Sequence, residues 1–463
     1  MKNRVISFYY LFFITLFVFI QIVFIAAYNP ALMSPDSFDQ LSQARNFFFT
    51  NWHPLFSTLY VYFFDKLFGS PIGISIANTG IFLLFLLLSI NTFKNNKKAL
   101  TVSLLFYCFM PIYYLFNMAL WKDVPYSYFL AISMVFLYRV LVNNKLKDLL
   151  LFITCILLVT LFRHNGITVA IAASTSILLL DGISKKIKLL TMSFLMISII
   201  VMRLLLTSFL PGAQTPIIIN QSNFYIVLMS HISSLPYYGG ENLINELEPL
   251  SPVIDPQKLA SSYRFGYLPI LLFDLNVGLD HSKVLSHKKL IVKTFIELFL
   301  KYPLLISRSI LVHGALVWSP IKLEESGYYI VEPGGDVCEK QSRAYSEYKC
   351  NEYKVQKIRY VNFISQDITE KLTALVFHQK YKNIFFMRPS IYLFAMVISA
   401  TYLLARKREL GKKVIILTLP LTVQTFTMFF LSQSQDFRYH LSLAVIAPIF
   451  LIMIYKFSKG DGK

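Results

Sequence analysis

Charged residues are scarce in this sequence, and their scarcity decides its class. Only 15% of the 463 residues are Asp, Glu, Lys or Arg, whereas a soluble domain carries roughly a quarter. Hydrophobic residues make up 56%, and the mean hydropathy is +0.56. Continuous apolar runs of about 18 residues recur, each long enough to cross a bilayer as a helix. The sequence therefore predicts an all-α polytopic membrane protein.

Acidic residues are few as well, with 25 Asp and Glu against 44 Lys and Arg. In a soluble protein a net charge of +19 would suggest nucleic acid, but here the basic residues cluster in short loops, where they orient membrane helices. Walker loops, GxGxxG turns, HExxH and CxxC pairs are all missing. The predicted partners are therefore membrane lipids, with no nucleic acid.

Cysteine is rare, with four residues in the chain. Cys108 and Cys155 lie within apolar runs, where a free cysteine packs as a small hydrophobic residue. Cys338 and Cys350 lie in a long polar loop, and we predict a disulfide between them if that loop faces an oxidising compartment.

Basic residues occupy every second connection between the apolar runs. They lie at residues 2–4, 94–98, 139–147, 185–188, 406–413 and 456–463. Because Lys and Arg accumulate in cytoplasmic loops, both termini are predicted to be cytoplasmic. About ten spans are predicted, at residues 6–28, 71–92, 99–116, 125–142, 149–162, 167–181, 188–209, 390–405, 413–432 and 439–457.

One apolar segment, 303–318, does not fit this alternation. As a crossing it would put residues 406–413 outside, so we predict a re-entrant or interfacial helix, or half of a hairpin. The preceding stretch, Lys288 to Lys301, has the period and mixed charge of a surface helix. The predicted organisation is an N-terminal membrane module (1–209) with a first outer loop (29–70), an extracytoplasmic cap region (210–388) and C-terminal membrane helices (389–463).

Polar residues other than these basic anchors collect on the predicted outer side, next to apolar runs, where ionisable groups are costly and often functional. They are Asp36 and Asp39; Asn51, Trp52 and His53; Trp121, Lys122 and Asp123; Arg163, His164 and Asn165; and residues 436–440. The runs flanking Arg163 have about 14 residues, or about 21 Å of helix against a hydrocarbon core of about 30 Å. We therefore expect Arg163 in a recess, where its planar guanidinium suits a phosphate.

Each polar group also has a purely structural interpretation, which the sequence leaves open. The alternatives are a helix N-cap for Asp36 or Asp39, a local ion pair of Lys122 with Asp123, a pair of Asp436 with Arg438, a snorkelling anchor for Arg163, a structural hydrogen bond for His53, and an interfacial position for Trp52 and Trp121. Their common side of the membrane favours a functional site.

Four short motifs follow the order found in one known superfamily. They read PDSFDQ with NWHPL in the first outer loop, then ALWKDVP, LFRHNGI, and DFRYHL before the last span. In these motifs the chain resembles the GT-C superfamily of integral-membrane glycosyltransferases, in particular its bacterial members. The likeness covers most of the first 180 or so residues and the last span, but not 210–388.

The resemblance implies a polyprenyl-phosphate sugar as donor, an envelope glycan or lipid as acceptor, and a bacterial cell membrane as location. It also implies an acid of the first outer loop as general base, for which Asp36 matches best and Asp39 is the alternative. Ser37 stands where a Glu is common, which leaves a divalent metal open. Cations would hold the leaving phosphate, and the candidates are Lys122, Arg163, His164 and Arg438. Candidates for lining the sugar or acceptor path are Trp52, His53, Trp121, Asp123 and Tyr439.

Two other functions use similar residues. A polysaccharide polymerase or ligase also places Arg and His in outer loops, usually in one large late loop. A flippase or other transporter places ionisable residues near the membrane midplane and often has repeated halves, and the sequence shows neither feature. No motif identifies the sugar or the acceptor.

Overall fold

The computed structural model describes residues 2–29, 31–47, 49–50, 52–209, 217–263, 278–321, 323, 371, 388–432 and 436–459. These residues form helices and their connections, with one isolated β-bridge and no strand among them. The predicted disulfide between Cys338 and Cys350 lies outside the described residues.

The N-terminal helices run up to residue 209. They are α1 (Lys2–Tyr28), α2 (Pro35–Asn46), α3 (Leu55–Phe68), α4 (Ile72–Phe93), α5 (Lys97–Phe109), α6 (Pro111–Met118), α7 (Asp123–Asn143), α8 (Leu146–Phe162), α9 (Gly166–Leu179) and α10 (Lys185–Phe209).

The remaining described helices include two short 3-10 turns near the C-terminus, Arg408–Leu410 and Phe437–His440. The others are α11 (Ile217–Gly239), a 3-10 helix (Glu241–Leu250), α12 (Pro256–Ser261), α13 (His281–Ser286), α14 (Lys288–Lys301), α15 (Pro303–His313), α16 (Ala315–Trp318), α17 (Pro389–Arg406), α18 (Gly411–Leu431) and α19 (Leu441–Ser458).

Seven of the described helical segments are long and apolar enough to cross a membrane, so the prediction of an all-α multi-pass protein is confirmed. The segments are Phe8–Tyr28, Ile72–Phe93, Asp123–Asn143, Lys185–Leu206, Pro389–Arg406, Arg408–Leu431 and Phe437–Ser458. The predicted span 99–116 is a bent pair, α5 and α6, at 54°, because Pro111 begins a new helix. The predicted spans at 149–162 and 167–181 are the shorter helices α8 and α9, with 17 and 14 residues. The number ten stays a prediction.

Buried tyrosines join the N-terminal helices to the last one. Tyr107 donates its hydroxyl to the Val445 carbonyl oxygen at 2.7 Å, and Tyr113 donates to that of Ala444 at 2.8 Å. A buried hydroxyl without a partner would cost roughly 1–3 kcal/mol. The bonds therefore fix the beginning of α19, which follows directly after residues 436–440, against α5 and α6.

The described part of the predicted cap, residues 217–263 and 278–321, has a hydrophobic core of its own. Its buried side chains come from α11 to α15 and include Ile232, Leu247, Ile291 and Leu298. The segment 303–318 forms two helices of 11 and 4 residues, and the longer rises about 16 Å, so a re-entrant or interfacial position stays the prediction. The surface helix predicted from Lys288 to Lys301 is present as α14.

Candidate functional site

The site begins at α2, in the first loop. Ser34 caps this helix. Its hydroxyl accepts a hydrogen bond from the Ser37 backbone N–H, and the Ser37 hydroxyl accepts one from the Ser34 backbone N–H. The N-cap alternative for Asp36 and Asp39 is therefore wrong. The two acids lie three residues apart, on neighbouring positions of one helix face.

A short parallel bridge brings the first loop to the loop before α7. The Leu32 N–H donates to the Met118 carbonyl at 2.9 Å, and the Leu120 N–H donates to the Leu32 carbonyl at 3.1 Å. The indole of Trp121 then donates to the Ser34 hydroxyl at 2.8 Å. These hydrogen bonds hold the start of α2, with Asp36 and Asp39, beside the loop that contains Lys122.

Arg438 reaches this site from near the C-terminus, 402 positions away from Asp36. Its Nη1 donates to Asp36 Oδ2 at 2.9 Å, and its Nε lies 3.0 Å from Asp436 Oδ2. The guanidinium also lies over the rings of Trp121 and Tyr439, with 5.1 and 4.9 Å to the centroids. The pair with Asp436 is thus present, and a second carboxylate, Asp36, shares the same cation.

A second polar chain contains His53. Its Nδ1 lies 3.1 Å from Lys122 Nζ, and its Nε2 lies 3.2 Å from Asp39 Oδ2. A protonated lysine can only donate, so this contact makes Nδ1 the acceptor and leaves the Nε2 proton facing Asp39. Gln43 donates to the same carboxylate oxygen at 2.8 Å. Asp39 is therefore held from two sides.

Arg163 and Asp123 form a buried ion pair between Nη1 and Oδ1. The two residues are 8% and 2% exposed, so Arg163 faces the protein interior instead of snorkelling to the surface. The partner of Asp123 is Arg163, and the local pair with Lys122 is not formed. The second guanidinium nitrogen of Arg163 lies 3.7 Å from the thioether sulfur of Met428, a weak acceptor that a phosphate would outcompete.

The charges of these segments act on one another. Burial lowers the pKa of Lys122 to about 8, with Asp36 and Asp123 opposing and the two arginines adding to the effect. Burial raises the pKa of Asp36, but the cations around it, Arg438 first, reverse the effect and leave it below its usual value. Asp36 is thus a carboxylate, and Lys122 is a cation near neutral pH.

Burial also shifts two neighbouring groups. It raises the pKa of Asp436 to about 6, although Arg438 lowers it. It lowers the pKa of His53, with Lys122 adding to the effect and the Asp39 carboxylate opposing it. His53 is therefore a neutral imidazole at pH 7, with Nδ1 facing Lys122 and Nε2 facing Asp39.

Two further predicted site residues are His164 and Trp52. The His164 side chain is exposed, and its backbone carbonyl accepts from Arg203 Nη2 at 3.3 Å. Trp52 is half-buried in the turn before His53. The binding roles of both stay predictions.

The sequence interpretation missed the glutamines that support the site. Gln43 binds the Thr50 hydroxyl as well as Asp39, and Gln40 donates to the Ser57 hydroxyl, both at 2.8 Å. Gln424 accepts from the Tyr126 hydroxyl and donates to the Tyr439 carbonyl at 3.3 Å. Gln424 stands alone in an apolar run, and such a polar interruption was the signal that could have found it.

No group of three or more His, Cys, Asp or Glu side chains is placed to hold a metal among the described residues. No protein-family model, curated protein or solved structure matches this chain. The case for a function rests on the residues of the site.

Proposed function

We propose that the chain is a membrane glycosyltransferase. It would move a sugar from a polyprenyl-phosphate donor to an envelope glycan or lipid acceptor. The observation that carries this proposal is the meeting of one accessible carboxylate, Asp36, with the cations Lys122 and Arg438, contributed by distant parts of the chain. Arg163 adds a third cation, which acts on Lys122. A base beside several phosphate-binding cations is what transfer from a lipid phosphate requires.

Asp36 suits the base role better than Asp39. Its side chain is 38% exposed, against 19% for Asp39. Asp39 already accepts from Gln43 and faces the imidazole of His53, whereas the contact of Asp36 is with Arg438. An acceptor hydroxyl can therefore approach Asp36 from the exposed side of its carboxylate.

The bond between Arg438 and Asp36 suggests how the donor would activate the base. A phosphate offers a guanidinium two oxygens in bidentate geometry, so a bound donor competes with Asp36 for Arg438. Once Arg438 turns to the phosphate, Asp36 loses the neighbour that most lowers its pKa and becomes a stronger base. Asp436, at 3.0 Å from the Arg438 Nε, would hold the arginine during this exchange.

The proposed reaction is a single displacement at the anomeric carbon. The acceptor oxygen forms its bond to that carbon while its proton passes to Asp36. The bond from the carbon to the phosphate oxygen breaks, and polyprenyl phosphate leaves with both electrons of that bond. Lys122, Arg163 and Arg438 would stabilise its charge, and the configuration at the carbon would invert.

We propose that this reaction occurs on the outer face of a bacterial cell membrane. The basic residues in every second connection support an orientation with both termini cytoplasmic. The cap would then cover the candidate site from outside. A divalent metal can be tested by adding a chelator to the assay below.

The proposal is tested with purified protein in detergent and polyprenyl-phosphate hexoses labelled in the sugar. An extract of envelope glycans and glycolipids serves as acceptor. We expect label to move from the polyprenyl phosphate to the acceptor with the wild type and not with Asp36→Asn. Label that stays on the donor with every hexose contradicts the proposal. Movement of intact donor across liposomes without transfer would identify a transporter, and joining of acceptor chains would identify a polymerase or ligase.

A further inference from the structure

Helix α14 has an outer face of unusual composition. Its inner face packs on the cap core through Ile291, Thr294 and Leu298, which are buried. The opposite face should be polar if it met water. Instead, Ile296 and Leu300 on that face are 51% and 74% exposed.

The apolar exposure continues into the helices that follow. Leu304 is 83% exposed, Leu311 is 49% exposed, and Trp318 is 38% exposed. Large apolar side chains exposed in sequence along consecutive helices indicate contact with a membrane or a partner, and Trp is enriched at the level of lipid headgroups.

Lysines alternate with the apolar residues of α14 and border a cavity. This cavity, an open surface groove of about 570 Å³, is lined by Tyr225, Lys288, Lys289, Val292, Lys293, Ile296 and Glu297. Glu297 lies 3.7 Å from Lys293. Among the described residues, neither Lys288 nor Lys289 has a carboxylate within ion-pair distance. The lining therefore carries an excess of positive charge beside an apolar wall.

The cap carries this helix on the same side of the membrane helices as the candidate site. His313, at the end of α15, binds the Ser432 carbonyl oxygen through Nε2 at 2.7 Å. Ser432 directly follows α18 and comes four positions before Asp436. The anchor of the cap and the Arg438 segment thus leave the membrane helices at the same end.

We propose that the cavity of α14 binds the headgroup of an anionic phospholipid, and that α14 lies in the membrane interface. The lysines would contact the phosphate, and the acyl chains would lie along Ile296 and Leu300. A free anion uses only the charged half of this surface, whereas an anionic lipid matches both halves. The inference does not depend on the glycosyltransferase proposal.

The test uses full-length protein purified in detergent, incubated with phosphatidylglycerol or phosphatidylcholine and examined by native mass spectrometry. We expect the wild type to retain phosphatidylglycerol preferentially. Lys289→Gln/Lys293→Gln should weaken its retention by about fivefold for each lysine removed. The matched control, Lys258→Gln/Lys283→Gln, makes the same charge change on exposed cap positions outside the cavity and should retain the lipid as the wild type does.

Three results would overturn the proposal. They are equal retention of both lipids by the wild type, equal loss in the test and control variants, and complete displacement of phosphatidylglycerol by inorganic phosphate, which would indicate a simple anion site.

A second measurement tests whether α14 lies in the membrane interface. In nanodiscs with dibrominated lipid, a tryptophan introduced by Leu300→Trp should be quenched more than one introduced by Lys258→Trp. Equal quenching would place α14 away from the bilayer.

Discussion

Replacing Asp36 by Asn changes the proposed base with little change in shape. The new amide oxygen can still accept from Arg438, but the amide carries no charge and cannot take up a proton from an acceptor. Arg438 keeps its contact with Asp436 at 3.0 Å, so no unpaired cation is left behind. The substitution therefore separates chemistry from folding.

The expected effects differ greatly in size. The Asp36 side chain is 38% exposed, and an ion pair with that much solvent contact contributes at most about 1 kcal/mol to stability. Loss of a positioned general base costs about 100- to 10,000-fold in rate. Asp36→Asn should therefore melt close to the wild type and transfer sugar at least about 100 times more slowly.

The measurement is the initial rate of label transfer, together with a melting curve in the same detergent. Asp39→Asn is the first comparison, because its amide oxygen still accepts from Gln43, and its rate should stay well above that of Asp36→Asn. Asp181→Asn is the matched control, because it removes an exposed carboxylate that pairs with Lys412. Asp181 follows the C-terminal end of α9, whereas Arg163 precedes the N-terminal end of the same helix. Its rate should equal that of the wild type.

Normal transfer by Asp36→Asn would refute the base assignment. If Asp39→Asn alone abolished transfer, Asp39 would take that role. A shared loss of activity and melting temperature in Asp36→Asn would show a structural role instead.

Three further predictions concern the surroundings of the site. Arg163→Ala should lower the free energy of unfolding by about 3–5 kcal/mol, because it leaves Asp123 buried without its partner, and melting curves will show it. Burial lowers the pKa of Lys122 to about 8, so donor binding should weaken as the pH rises through 8, because the lysine loses its charge. The Lys122→Arg variant should bind the donor with an affinity that does not change over this pH range. Gly166→Ala should lower the melting temperature, because its Cβ would lie 2.6 Å from the Val159 carbonyl oxygen, whereas Gly80→Ala meets nothing within 4 Å and should not.

Helices were the part of this fold most readily predicted from sequence. Hydropathy predicted the segment 125–142, found as Asp123–Asn143, because a long apolar run has one stable form in a bilayer. The run 99–116 was predicted as one span although it contains Pro111, which lacks the N–H that a continuous helix needs. The apolar runs 149–162 and 167–181 were found as the helices α8 and α9, which are separated by Arg163 with its extended backbone.

The site was predicted as a set of residues but not as a set of contacts. Motif positions singled out Asp36, Lys122 and Arg438, because ionisable groups next to apolar runs are conspicuous. Their pairing could not be read from the sequence. Asp123 binds Arg163 and not its neighbour Lys122, and Arg438 binds Asp36 as well as Asp436. The partners Arg163 and Asp123 lie 40 positions apart and Arg438 and Asp36 lie 402 apart, so their contacts depend on how the helices pack.

The most direct test is a cryo-EM structure of the wild-type protein with a bound polyprenyl-phosphate hexose. We predict the phosphate among Lys122, Arg163 and Arg438, with Asp36 released from Arg438 and facing the anomeric carbon. A phosphate bound at the opposite ends of these helices, or a sugar out of reach of Asp36, would contradict the proposed catalytic site.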